Sequence, residues 1–205
     1  MNLVQSIKRF RLKRKLVRQV SGERASTNLA MGLPESCAFH SLLYNPLTNM
    51  LVAELGPLSS PLRVHRLFAR QTDETVYREI GNPEDDISWV HPATSRVNPF
   101  LVFVSMQLQV GTDGAVGGNW NALHRVNLKD FTIQDIAKRG ELTLPKPYNE
   151  GWVSNIVGLW DDGSGIDAVL GLQRPEKGRM DYFLSKLDFA MKTVEPISKL
   201  AGVFY

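Results

Sequence analysis

The feature that most constrains the fold of this chain is an internal repeat. Three segments, residues 36–81, 86–138 and 151–199, each contain four short apolar runs in the same order. In every segment the first run ends in turn-forming residues, NPLTN at 45–49, SRVNP at 95–99 and DDGSG at 161–165. Two columns of aligned positions support this register, one formed by His65, His124 and Ser185 and the other by His40, His91 and Asn155.

Four strands per unit, repeated at intervals of about 50 to 65 residues, are typical of β-propeller blades. The sequence therefore predicts an all-β fold of about three four-stranded blades in residues 36–205, preceded by a linker at 21–35 and a basic helical arm at 1–20. Propellers close with about four to eight blades. Three blades leave unpaired strand edges, so we expect completion by a second copy, by a partner chain or by a further part of the protein.

Composition excludes several classes of protein. The chain is 43% hydrophobic and 22% charged, as in ordinary globular domains. Its single cysteine, Cys37, excludes an intramolecular disulfide framework. No apolar stretch reaches the roughly 18–20 residues of a membrane span. Basic residues also run through the N-terminal segment where a secretory signal would have its apolar core. The prediction is a cytoplasmic protein, with organellar targeting by the N-terminal arm as the alternative.

The positive charge belongs to the N-terminal arm. Residues 1–20 hold seven of the 24 basic residues and no acid, so the remainder is net negative. Apolar residues at near-helical spacing predict a partly amphipathic helix. The arm can bind RNA or another anion, contact an anionic membrane surface, or serve as a solvated helix that docks on the body. The candidate anion-binding residues are Lys8, Arg9, Arg11, Lys13, Arg14, Lys15 and Arg18.

Two stretches carry a resemblance to a known family. WVHPATSRVNPFLVFV and GWVSNIVGLWDDGSGIDAVLGL resemble blades of TolB-like propellers, in which an inner strand ends in a turn before an apolar second strand. The fragment HPAT at residues 91–94 is similar to oligogalacturonate lyases. That resemblance implies a propeller enzyme that holds a divalent metal with histidines near its central channel. The chain lacks a full set of that family's metal ligands.

The first strand of a propeller blade lines the central channel. Approximate symmetry would bring His40, His91 and Asn155 to one level there, where they could hold a divalent metal. His91 is the candidate catalytic residue, because imidazole transfers protons near neutral pH. The competing interpretation is that all three are structural or solvated. His65 and His124, on third strands, are predicted to be structural. The four tryptophans are predicted to pack between blades rather than to stack on sugars.

The sequence contains no hydrolase triad order, zinc Cys pair or His-Glu-x-x-His motif. The glycine-rich stretch at 110–119 matches no phosphate-binding fingerprint and is predicted to be a hairpin loop. The favoured hypothesis is thus a non-catalytic binding or assembly module without a cofactor, completed as a homo-oligomer or by a protein partner. The alternatives are a divalent-metal-dependent lyase of oligouronates or other polysaccharides, and a basic arm that binds RNA or an anionic surface.

Overall fold

The computed structural model describes residues 27–28, 33–34, 37–57, 65–81, 87–110, 116–175 and 180–201. Two short strands, β1 (Thr27–Asn28) and β2 (Leu33–Pro34), pair antiparallel within the segment predicted as a linker. The basic arm predicted as a helix lies outside the described residues. The described residues contain no helix long and apolar enough to cross a membrane.

Three four-stranded sheets make up the rest of the described structure. The first contains β3 (Cys37–Asn45), β4 (Met50–Pro57), β5 (Arg66–Gln71) and β6 (Arg78–Ile80). The second contains β7 (Ile87–Thr94), β8 (Phe100–Val110), β9 (Val116–Asn127) and β10 (Ile133–Lys138). The third contains β11 (Glu150–Leu159), β12 (Gly165–Gln173), β13 (Met180–Asp188) and β14 (Thr193–Lys199).

Each sheet is a meander in which sequence neighbours pair, and the recorded pairings are antiparallel. The predicted all-β fold of three four-stranded units is therefore confirmed. The turn-forming residues at 45–49, 95–99 and 161–164 join the first strand of each sheet to the second. The loop predicted at 110–119 is shorter than expected, because β8 continues to Val110 and β9 begins at Val116. Extending the hairpin pairs backbone groups that a loop would leave to water.

The core is concentrated on the central strands of the sheets. Every residue from Leu101 to Val104 on β8 is fully buried, as are Ile166, Ala168, Leu170 and Leu172 on β12. β8 is therefore buried on both faces, whereas the four fully buried residues of β12 alternate along the strand and share one face. Trp89 and Trp120 are also buried, at 6% and 5% exposure, whereas Trp152 and Trp160 are half-buried. Their packing between blades stays a prediction.

The chain divides into two compact units. The first comprises Met1–Tyr44, Thr48–Val90 and Ser105–Asn119, and the second comprises Asn45–Leu47, His91–Val104 and Trp120–Tyr205. Most of the first sheet lies in the first unit and all of the third sheet lies in the second. The strands of the second sheet are shared between them.

Asn45 ties two hairpin turns together within the second unit. Its side chain is fully buried, and its Nδ2 donates to Thr94 Oγ1, to the Ser95 carbonyl and to the Asn98 carbonyl, each at 2.9 Å. All three acceptors are oxygen atoms, so only a hydrogen-bond donor fits at this point. The NPLTN turn is thereby fixed to the SRVNP turn.

Candidate functional site

The most developed polar cluster of the first unit surrounds a buried carboxylate. Glu54 on β4 is 5% exposed and accepts a hydrogen bond from the Ser41 hydroxyl at 3.0 Å. Its other carboxylate oxygen lies 2.5 Å from Nδ1 of His65. A buried carboxylate is costly unless both oxygen atoms have partners, and here each oxygen has one.

The backbone of His65 is held by β7, the first strand of the second sheet. Its N–H donates to the Ser88 hydroxyl at 2.9 Å, and its carbonyl accepts from the Trp89 N–H at 3.0 Å. The imidazole is therefore fixed at its backbone and at Nδ1. With Nδ1 directed at Glu54, Nε2 is the nitrogen that remains to accept or donate a proton or to bind a ligand.

Gly56 creates the space that the imidazoles occupy. The β4–β5 register pairs Leu55 with Arg66, so Gly56 stands opposite His65 at the next position. A Cβ at residue 56 would lie 2.7 Å from Nε2 of His40 and 3.0 Å from Cδ2 of His65. The His40 and His65 rings lie over this glycine with centroids 4.1 Å apart and planes inclined by 31°. His40 is exposed, so the pair connects the buried Glu54 to the surface.

This arrangement resembles an oriented general base more than a metal centre. A carboxylate on Nδ1 fixes the tautomer and the ring orientation, as it does for catalytic and for metal-binding histidines. A divalent metal usually has at least three protein ligands. In the part of the chain that the structure describes, no three His, Cys, Asp or Glu side chains are arranged to hold a metal ion. The described residues therefore do not fit a three-ligand centre.

The predicted column of channel residues is divided between the two units. His40 lies on β3 in the first unit, whereas His91 on β7 and Asn155 on β11 belong to the second. Asn155 is exposed and His91 is half-buried. His91 has a φ of 56°, and β11 shifts register next to Asn155. The convergence of His40, His91 and Asn155 around a central channel stays a prediction.

The seven basic residues of the N-terminal arm, which were predicted to bind an anion, lie outside the described residues.

Sequence reasoning missed Glu54 and assigned His65 only a structural role. The signal was a single acid within the apolar run MLVAELGP, where alternation places the side chain of residue 54 on a buried face. A buried acid requires a partner of opposite charge or a hydrogen-bond donor. His65, eleven residues away in sequence, is that partner.

A second histidine–carboxylate pair lies in the second unit. His124 on β9 stacks on Phe103 with ring centroids 5.1 Å apart, and its Nδ1 lies 2.9 Å from Asp135 Oδ1. Burial lowers the pKa of His124 below its ordinary value near 6.5, while the Asp135 carboxylate acts in the opposite direction. A neutral imidazole packed on a phenyl ring agrees with the structural role predicted for His124.

Comparisons with known proteins give a fold but no family. No family model matches the sequence. The search of curated proteins finds no match. An oligogalacturonate lyase in complex with manganese is similar in structure, with a TM-score of 0.52 and 13% identity over 83% of this chain and 44% of that chain. The dipeptidyl peptidase 4 of Porphyromonas gingivalis matches with a TM-score of 0.41 and 12% identity over 78% of this chain and 25% of that chain.

The similarity to the lyase confirms the predicted resemblance at the level of the fold. The described sheets are β-propeller-like, and the neighbour is a TolB-like propeller. The chain spans less than half the length of either matched structure. At 13% identity this similarity does not assign the roles of the lyase's residues to residues of this chain.

Proposed function

We propose that this protein is a non-catalytic binding or assembly module, a partial β-propeller whose ring is completed by a second copy of the chain. The observation that supports this is the blade count. The described residues form three four-stranded sheets, fewer than the four to eight blades that close a propeller, whereas two copies would supply six. Closed two-fold dimers are also the commonest symmetric assemblies.

The surface of β3 supports the same proposal. β3 is an edge strand of its sheet, and on it Leu42 and Tyr44 are 55% and 48% exposed. Since residues two apart share a face of a strand, these side chains form one apolar stripe. An exposed apolar patch on a sheet face marks an interaction surface. A second copy packed on this face would cover the stripe.

The test is the mass of the full 205-residue chain in solution by light scattering. The chain has a mass of 23.0 kDa, so the proposal predicts a species of twice that mass at micromolar concentration. Leu42→Glu should weaken this dimer. Leu47→Glu is the matched control, because Leu47 is equally exposed at 53% but lies in a turn. A monodisperse monomer, or equal effects of the two variants, would overturn the proposal.

A metal-dependent enzyme acting on oligouronates is the second candidate. The observation that favours it is the His40–His65 pair, in which Glu54 orients one imidazole as carboxylates orient metal-binding histidines. A metal bound by His40 and His65 would need at least one further ligand from elsewhere in the chain, because the described residues form no group of three. Metal content of the purified chain and calorimetric titration with Mn²⁺ test the idea. The proposal is supported if the purified chain contains a metal or binds Mn²⁺, and if His40→Gln and His91→Ala abolish that binding. It is excluded if the purified chain contains no metal and does not bind Mn²⁺.

A further inference from the structure

A cavity of about 380 Å³ opens in the second unit, away from the Glu54 cluster. It lies beside β10, an edge strand of the second sheet, and the turns that follow β11 and β13. Its volume falls in the range of small-molecule sites, about 300–1,000 Å³. Its walls include Arg125, Gln134, Ile136, Gly163, Ser164 and Phe189.

Among the described residues, Arg125 is the one cationic side chain that lines this cavity. Its guanidinium lies over the Phe100 ring, 4.6 Å from the centroid, and Nη2 donates to Gln134 Oε1 at 2.7 Å. These two contacts hold the planar group in one orientation. Gln134 is in place because the β9–β10 register sets it directly opposite Arg125.

Arg125 has no carboxylate partner among the residues that the structure describes. Arg66, Arg78, Arg139 and Arg174 each have an acidic partner within 4 Å. A guanidinium has five N–H donors, and the contact with Gln134 uses one. The fork geometry of the remaining donors matches a carboxylate or a phosphate.

Two neighbouring carboxylates limit the charge of the ligand. Asp135 is engaged by His124 and Lys138, and Asp162 accepts from the N–H and the hydroxyl of Ser164. Neither neutralises Arg125, but both repel additional negative charge. A monoanion is therefore favoured over a phosphate dianion or a nucleic acid. Ile136 and Phe189 supply apolar wall for an organic body.

We propose that this cavity binds a small organic monocarboxylate, with the carboxylate on Arg125 and the apolar part against Ile136 and Phe189. The site is independent of ring completion, because every residue that lines it belongs to the second unit.

The test is calorimetric or NMR titration of the full chain with hexanoate, using hexanamide as the neutral analogue of the same shape. Charge-assisted hydrogen bonds predict binding of hexanoate about 10- to 100-fold tighter than of hexanamide. Arg125→Gln should abolish this difference. Arg139→Gln is the control, since Arg139 is half exposed and pairs with Glu150 outside the cavity. Inorganic phosphate should bind more weakly than hexanoate.

Ala190→Phe provides a variant that leaves Arg125 in place. Ala190 is exposed and lines the cavity, so a phenyl group there should fill the space and block hexanoate. This variant keeps the test decisive if Arg125→Gln folds poorly. Equal affinity for hexanoate and hexanamide, tighter binding of phosphate, undiminished binding by both variants, or no saturable binding of hexanoate would each overturn the proposal.

Discussion

Replacing Gly81 with alanine should destabilise the first unit strongly. Gly81 has a φ of 92°, which L residues rarely adopt. A Cβ there would overlap the six-membered ring of Trp89, a residue that is only 6% exposed. Backbone strain contributes about 1–2 kcal/mol. Overpacking contributes about 1–3 kcal/mol more.

Gly140 separates the two contributions. Its φ of 85° is nearly the same, but a Cβ there would meet no atom of the described residues within 4 Å. Gly140→Ala should therefore cost only the backbone strain, about 1–2 kcal/mol. The difference between the two variants, about 1–3 kcal/mol, measures the packing of Trp89 alone.

Urea unfolding followed by tryptophan fluorescence gives both free energies of unfolding. Thermal melts provide a second reading, at about 2–4 °C per kcal/mol for a domain of this size. If Gly81→Ala and Gly140→Ala lower the free energy of unfolding equally, Trp89 does not fill the space above Gly81. The inference that the buried Trp89 ring makes Gly81→Ala more destabilising than Gly140→Ala would then be wrong.

Three further predictions follow from other parts of the chain. Asn45→Asp should lower the free energy of unfolding by about 3 kcal/mol or more, because an acceptor replaces a buried donor facing three oxygen atoms; a loss under 1 kcal/mol in urea unfolding would contradict the hydrogen bonds described. His124 should titrate below 6.5 by NMR, so its contribution to stability is complete above 6.5 and decreases as the pH falls toward the lower folded-state pKa; a midpoint above 6.5 would be inconsistent with its burial. Deleting residues 1–20 should remove any salt-dependent binding to RNA or anionic vesicles; retained binding would place the anion site on the body.

The strands were predictable because each carries its own local signal. Turn residues at 45–49, 95–99 and 161–165 mark the first hairpin of every unit, and apolar runs on both sides satisfy strand patterning. Repetition added information that one unit alone would not provide, since three matching segments fix the number of strands per sheet. The short pair formed by β1 and β2 carries no such signal and was not predicted.

The Glu54 cluster could not be located in the same way, because it depends on pairing between strands. Glu54 and His65 meet only through the β4–β5 register and the vacant side-chain position at Gly56. The predicted column of His40, His91 and Asn155 was derived from the repeat alone, without knowledge of the local strand geometry. It assumes that equivalent positions face the same way, but an irregular residue such as His91 can turn the following side chains to the other face.

Energetic considerations favour His65 over the predicted column as the residue to examine for function. A buried carboxylate–imidazole pair gains little net stability, because desolvation offsets most of the attraction, and apolar side chains of similar volume would serve the core at least as well. Stability alone therefore does not account for the burial of Glu54 and His65 in the first unit. The pair orients an imidazole beside the exposed ring of His40, a geometry that an apolar replacement would not provide. His124 is instead stacked on Phe103, and burial lowers its pKa, so its ring is shifted toward the neutral form.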